Sequence, residues 1–101
     1  MTLHTYNKSL ASGEARLRDC LRGMSPGDSL LLIEDGVYLA PQLHPGMELR
    51  KQLPDGIALY ALLPDLAARG IFTKIPADFS GIDYGGFVQL CLTHPRVVNW
   101  N

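Results

Sequence analysis

The stretch "SLLLIED", Ser29 to Asp35, does most to limit what this chain can fold into. Leu30 to Ile33 follow one another with no polar alternation, and "IALYALL", Ile57 to Leu63, does nearly the same. A strand with one face in water alternates, whereas a strand covered on both faces does not. Turn residues bound both runs: "SPGD" and Asp35-Gly36 flank the first, and Pro64 follows the second. Two such strands in a chain of 101 residues call for helices above and below a mainly parallel sheet.

The remaining segments fit that arrangement. "LHTYN" alternates and predicts a first short strand. Ser9 or Ser12 is placed to cap a helix, with the charge of Glu14 favouring its positive end. Leu10, Leu17, Leu21 and Met24 recur at helical spacing and give that helix one apolar face. Gly23 weakens it and "SPGD" ends it, with Pro26 and Gly27 at the two central positions of a type II turn. "VYLA" suggests the start of a short helix, but residues 41–56 carry three prolines and two glycines and read mostly as loop. In "PDLAARG", Pro64 suits a first helical position and Gly70 a helix C-terminus. "SGIDY" predicts a strand and "GGFVQLCLTH" a helix stopped before Pro95. "RVVNW" then alternates, either as an edge strand or as a segment that meets a partner. The expectation is one α/β domain over residues 1–101, a three-layer sandwich around a small, mainly parallel sheet, with no internal repeat.

Composition excludes several functions. The net charge of −1 gives no basic stripe for nucleic acid, and Arg16, Arg18 and Arg22 mix with Glu14 and Asp19 as a solvated helix face. No run approaches the roughly 20 apolar residues that span a bilayer. "MTLHTYNKS" lacks the features of a secretory signal, so the chain is expected in a reducing cytosol, without a Cys20–Cys91 disulfide. The three histidines and two cysteines have no metal-ligand spacing, so neither metal nor cofactor is expected. The predicted strands end at Glu34 and Asp35, at Pro64 and Asp65, and at Asp83 and Tyr84. This acidic rim repels phosphate, and no glycine-rich phosphate loop occurs. A receiver-like Mg²⁺ site would also need a phospho-accepting aspartate that "IALYALL" does not supply. Asp35 as a turn residue and Asp83 as a helix cap account for the rim more simply.

Two cysteines are the candidates for chemistry. Cys20 lies about 60° from the centre of the Leu17, Leu21 and Met24 stripe, which makes it a reachable boundary residue. Arg16, one turn earlier, favours its thiolate, while the negative helix C-terminus opposes it. No histidine stands close in sequence to act as a base. Cys91, beside Leu90 and one turn after Phe87, reads as a buried structural residue. In the tail, Val97, Val98 and Trp100 follow Pro95 with too little chain left to cover them, so the last helix and tail are expected at a protein–protein interface.

Taken in order, "LHTYNKS", "GDSLLLIEDGVY", "LYALLPDLAARG", "IDYGGFVQLCLTHP" and a tryptophan near the terminus resemble the DsrH/TusB family of sulfur-relay proteins. The resemblance covers nearly the whole chain and is weakest from Pro41 to Gly56. It implies the DsrE/DsrF/DsrH-like fold. It also implies a heterohexamer with TusC/DsrF-like and TusD/DsrE-like subunits that passes persulfide sulfur, in one branch to the tRNA wobble uridine and in the other within sulfur oxidation. The principal sulfur-accepting cysteine of such complexes belongs to the TusD or DsrE subunit. Cys20 matches a cysteine that some members carry and others lack. Two roles follow: an assembly and partner-binding subunit, or a sulfurtransferase with persulfide on Cys20. The expected branch is 2-thiolation of the tRNA wobble uridine, with sulfur oxidation as the alternative, and the isolated chain is a candidate for self-association.

Overall fold

A computed structural model describes residues 1–101, the side chain of Ser12 excepted, so the capping role considered for that residue lies outside the described part. Five strands form one sheet: β1 (Thr2–Tyr6), β2 (Ser29–Leu32), β3 (Ala58–Leu62), β4 (Phe79–Ile82) and β5 (Arg96–Trp100). Their order is β4-β3-β2-β1-β5, and all four pairings are parallel. The two unbroken apolar runs are β2 and β3, in the interior of the sheet, as their lack of alternation demands.

The order dictates where the helices lie. From β1 to β4 the chain steps across the sheet in one direction, so right-handed crossovers put every connection on the same face. These connections are α1 (Leu10–Arg22), a 3-10 helix (Glu34–Leu43) with α2 (Glu48–Lys51), and α3 (Leu63–Ala68) with a short 3-10 turn (Phe72–Lys74). The return from β4 to β5 runs the opposite way, and α4 (Tyr84–Thr93) therefore crosses the other face. The result is three layers, unequally filled.

The main core lies on the crowded face. Tyr6, Leu30, Leu32, Leu59, Ala61 and Phe79 point from the sheet toward Leu17, Leu21 and Met24 of α1, Val37 to Leu43 of the 3-10 helix, and Leu66 of α3. Leu3, Leu31 and Leu62 alternate with these, are buried, and face the side that α4 crosses.

Local chemistry explains most of the boundaries. Ser9 occupies the N-cap position of α1 in extended backbone. Glu14 falls beyond the first turn and pairs instead with Arg18 at 2.9 Å. After α1, the Asp28 N–H donates to the Ser25 carbonyl at 2.9 Å and Gly27 has φ +94°, which completes the expected type II turn. Pro64 stands in the first turn of α3 and Gly70, at φ +66°, follows its end.

Two features depart from expectation. The helix suggested at "VYLA" is a 3-10 helix that starts earlier, at Glu34, and runs through Pro41 to Leu43, and the segment read mostly as loop also holds the single turn of α2. Leu10 is exposed, and the backbone kinks at Gly13 (φ −140°), between it and the buried Leu17, Leu21 and Met24 of the same stripe.

Candidate functional site

The carboxyl ends of the strands are where open α/β sheets place ligands. Here part of the acidic rim is paired from within. Arg69, the C-cap of α3, lies 2.9 Å from Asp35 and 3.6 Å from Asp65, with its guanidinium 6.0 Å from the Tyr38 ring centroid. Asp83 accepts the Gly86 N–H at 2.8 Å and caps α4. Among the described residues no group of histidine, cysteine or carboxylate side chains is arranged to hold a metal ion. Glu34 adopts φ +50°, unusual for a residue with a side chain, and its N–H donates to Asp65 at 2.7 Å. Beside it Gly36 packs on the end of β1: a Cβ there would lie 2.1 Å from the Tyr6 carbonyl oxygen. This end of the sheet is tightly tied backbone, and nothing in it builds a nucleophile.

Both cysteines are placed contrary to expectation. Cys20 is 0% exposed, and burial pushes its thiol pKa up to about 12. It helps to raise the pKa of Tyr6, although burial of the phenol is the larger cause. The physical reason is β5. That strand adds to the sheet beyond β1, and its Trp100 packs against the core that holds Cys20, beside the last turn of α1. The buried arc of α1 is thus wider than its leucine stripe, and a residue that periodicity puts at the boundary lies inside. A neutral, enclosed thiol is a poor nucleophile in this conformation.

Cys91 is exposed, not buried. No residue of α4 is fully buried, because one helix alone crosses its face of the sheet. Phe87 and Leu90 turn halfway inward. Tyr84, Val88, Cys91 and Leu92, spaced at i, i+4, i+7 and i+8, turn outward. Tyr84, Val88 and Leu92 are 61%, 56% and 73% exposed, and α4 carries no charged side chain.

The tail divides. Val97 is 40% exposed and shares the α4 side of the sheet through its register with Leu3. Val98 is half-buried on the other side. Trp100 corrects the expectation of an uncovered anchor: it is half-buried and folds back onto its own chain. Its indole N–H donates to Nδ1 of His4 at 3.0 Å and the two rings stack at 6.2 Å. His4 in turn binds Asp28 at 3.1 Å. Burial acts to raise the Asp28 pKa, but hydrogen bonds from the Thr2 and Ser25 N–H groups and from His4 outweigh it and hold the carboxyl below its usual range. Sequence reasoning missed this cluster, whose members come from opposite ends of the chain.

Comparisons with known proteins agree with the fold and the motifs. The family profile described as "DsrH like protein" matches residues 11–97. Protein TusB of Pectobacterium carotovorum is 40% identical over 98 residues, which is 97% of this chain and 99% of that protein. Protein TusB of Escherichia coli is 42% identical over 80 residues, covering 79% of this chain and 82% of that one. The solution structure of protein Tm0979 from Thermotoga maritima superposes with a TM-score of 0.62 at 25% identity, covering 91% of this chain and 92% of the other. With its five-stranded parallel sheet, its family motifs in register and this breadth of similarity, the chain belongs to the DsrH/TusB family of sulfur-relay proteins.

Proposed function

We propose that this chain is an assembly subunit of a cytoplasmic relay that passes persulfide sulfur toward 2-thiolation of the tRNA wobble uridine. In this reading it docks TusC/DsrF-like and TusD/DsrE-like subunits and does not itself carry sulfur. The observation that carries the proposal is α4. An uncharged helix with Tyr84, Val88 and Leu92 exposed is costly in water and matches the apolar, charge-depleted centre of a protein interface. Val97 extends apolar surface on the same side of the sheet. The burial of Cys20 supports assembly over the alternative of a persulfide on that residue, because a carrier thiol must reach a partner's cysteine. The TusB names of the curated relatives support the tRNA branch over sulfur oxidation.

The test places charge on the outward face: Val88→Glu with Leu92→Glu, mixed with the two sister subunits and run by size-exclusion chromatography. Loss of co-elution, with the denaturation midpoint of the isolated chain unchanged, supports the proposal. A complex that forms as well as with the parent chain refutes it.

A further inference from the structure

The three histidines differ in what a second ring proton would do to them. His94 has Nδ1 2.7 Å from the Leu90 carbonyl, to which it donates, and Nε2 2.9 Å from the Ser29 hydroxyl, which it accepts. A proton added at Nε2 needs only a rotation of that hydroxyl. His44 is exposed, donates through Nε2 to the Lys74 carbonyl at 3.0 Å, and has no bond at Nδ1 among the described residues.

His4 has no such freedom. An indole N–H can only donate, so Nδ1 of His4, 3.0 Å from Nε1 of Trp100, must present a lone pair. The ring proton is therefore on Nε2, facing Asp28, which also accepts the Thr2 N–H at 2.9 Å and the Ser25 N–H at 3.0 Å. A proton added at Nδ1 would set two N–H groups against each other inside a buried site. Asp28 welcomes the resulting charge and holds the ring in place, so the indole is the group that must yield.

We propose that His4 is a proton-operated latch on the C-terminal end of β5: neutral, it holds Trp100 against the core; doubly protonated, it releases the indole. The side chains packed around His4 do not titrate in competition with it. Leu30 of β2 and Val98 of β5 stand opposite it and are apolar. Tyr6, two residues along β1, and Cys20 of α1 both hold their protons through the acid range. Asp19 and Arg22 of α1 point to solvent. The Met1 amine stands one residue from the Thr2 N–H that binds Asp28.

Trp100 is the single tryptophan of the chain, so its fluorescence reads the latch directly. Emission and acrylamide quenching are followed from about pH 8 to about pH 5, with far-UV circular dichroism in parallel. The expected result is a shift to longer wavelength and a severalfold rise in quenching at constant ellipticity. The transition should be absent in His4→Gln, which accepts from the indole and donates to Asp28 without titrating, and present in His94→Gln. Should His4→Gln fail to fold, ¹⁵N NMR of the parent chain decides. The His4 ring must carry its proton on Nε2 at the upper pH, and the Trp100 Nε1–H signal must move with His4 titration. Four results overturn the latch: no transition; loss of intensity without shift or added quenching; a shift that coincides with loss of ellipticity; or a transition that survives in His4→Gln.

Discussion

Under native conditions one thiol of this protein should react with an aromatic disulfide reagent while the other stays silent, and the reactive one should be Cys91. The magnitude follows from Cys20. The attacking species is the thiolate, and an ordinary thiol of pKa about 8.5 is roughly one-quarter ionised at about pH 8. With its pKa pushed to about 12, Cys20 is ionised to about one part in ten thousand at that pH. Its thiolate is therefore about three orders of magnitude scarcer than that of an ordinary thiol, before the steric barrier of a side chain with 0% exposure is counted. Stopped-flow absorbance on the parent chain, Cys20→Ala and Cys91→Ala gives the answer, with a guanidinium end point to count both thiols. One fast equivalent is expected in the parent, retained in Cys20→Ala and lost in Cys91→Ala. A fast phase that survives in Cys91→Ala would refute the burial of Cys20.

The same burial makes stability pH-dependent at the alkaline end. Between the ordinary thiol value of about 8.5 and about 12 the unfolded chain loses the Cys20 proton and the folded chain keeps it, so stability falls as pH rises. The slope approaches about 1.4 kcal/mol per pH unit, and urea midpoints of the parent should decline more steeply there than those of Cys20→Ala. At the acid end the sign reverses: the Asp28 carboxyl, held below its usual range, contributes stability above its unfolded pKa of about 3.9 that is lost as pH falls through its folded value. Asp28→Asn should remove that part of the acid limb in a denaturation series. Gly36→Ala would set a methyl 2.1 Å from the Tyr6 carbonyl oxygen, and the backbone on both sides must shift. A loss of about 3 kcal/mol or more is expected, and an unchanged melting temperature would show that the approach is looser than described.

What could be read from the sequence was what short-range patterns encode. The unbroken runs of β2 and β3 announced a parallel sheet covered on both sides, Pro64 and Gly70 bracketed α3, and Pro26-Gly27 specified its turn. What could not be read depended on partners distant in the chain. Cys20 is buried because β5, whose pairing with β1 joins the two ends of the chain, carries Trp100 beneath its side of α1. The His4–Trp100 bond spans 96 residues and left no local trace. Cys91 was misjudged because it stands at the middle of a broad apolar arc on α4, of which only the Phe87 and Leu90 edge turns toward the sheet. The helix from Glu34 to Leu43 was legible only at "VYLA", because a 3-10 helix lacks the 3.6-residue repeat and because Pro41 reads as a break.

A thiol-free version of this chain tests most directly whether it serves the relay as an assembly subunit or as a carrier. Cys20→Ala combined with Cys91→Ala removes both of its cysteines. The complex rebuilt with this variant and the sister subunits is supplied with a persulfide donor, the downstream carriers and the acceptor tRNA, and the yield of 2-thiouridine is measured. An assembly subunit predicts the same yield as with the parent chain. Loss of thiolation in a complex that still forms would contradict that role and put sulfur on this subunit.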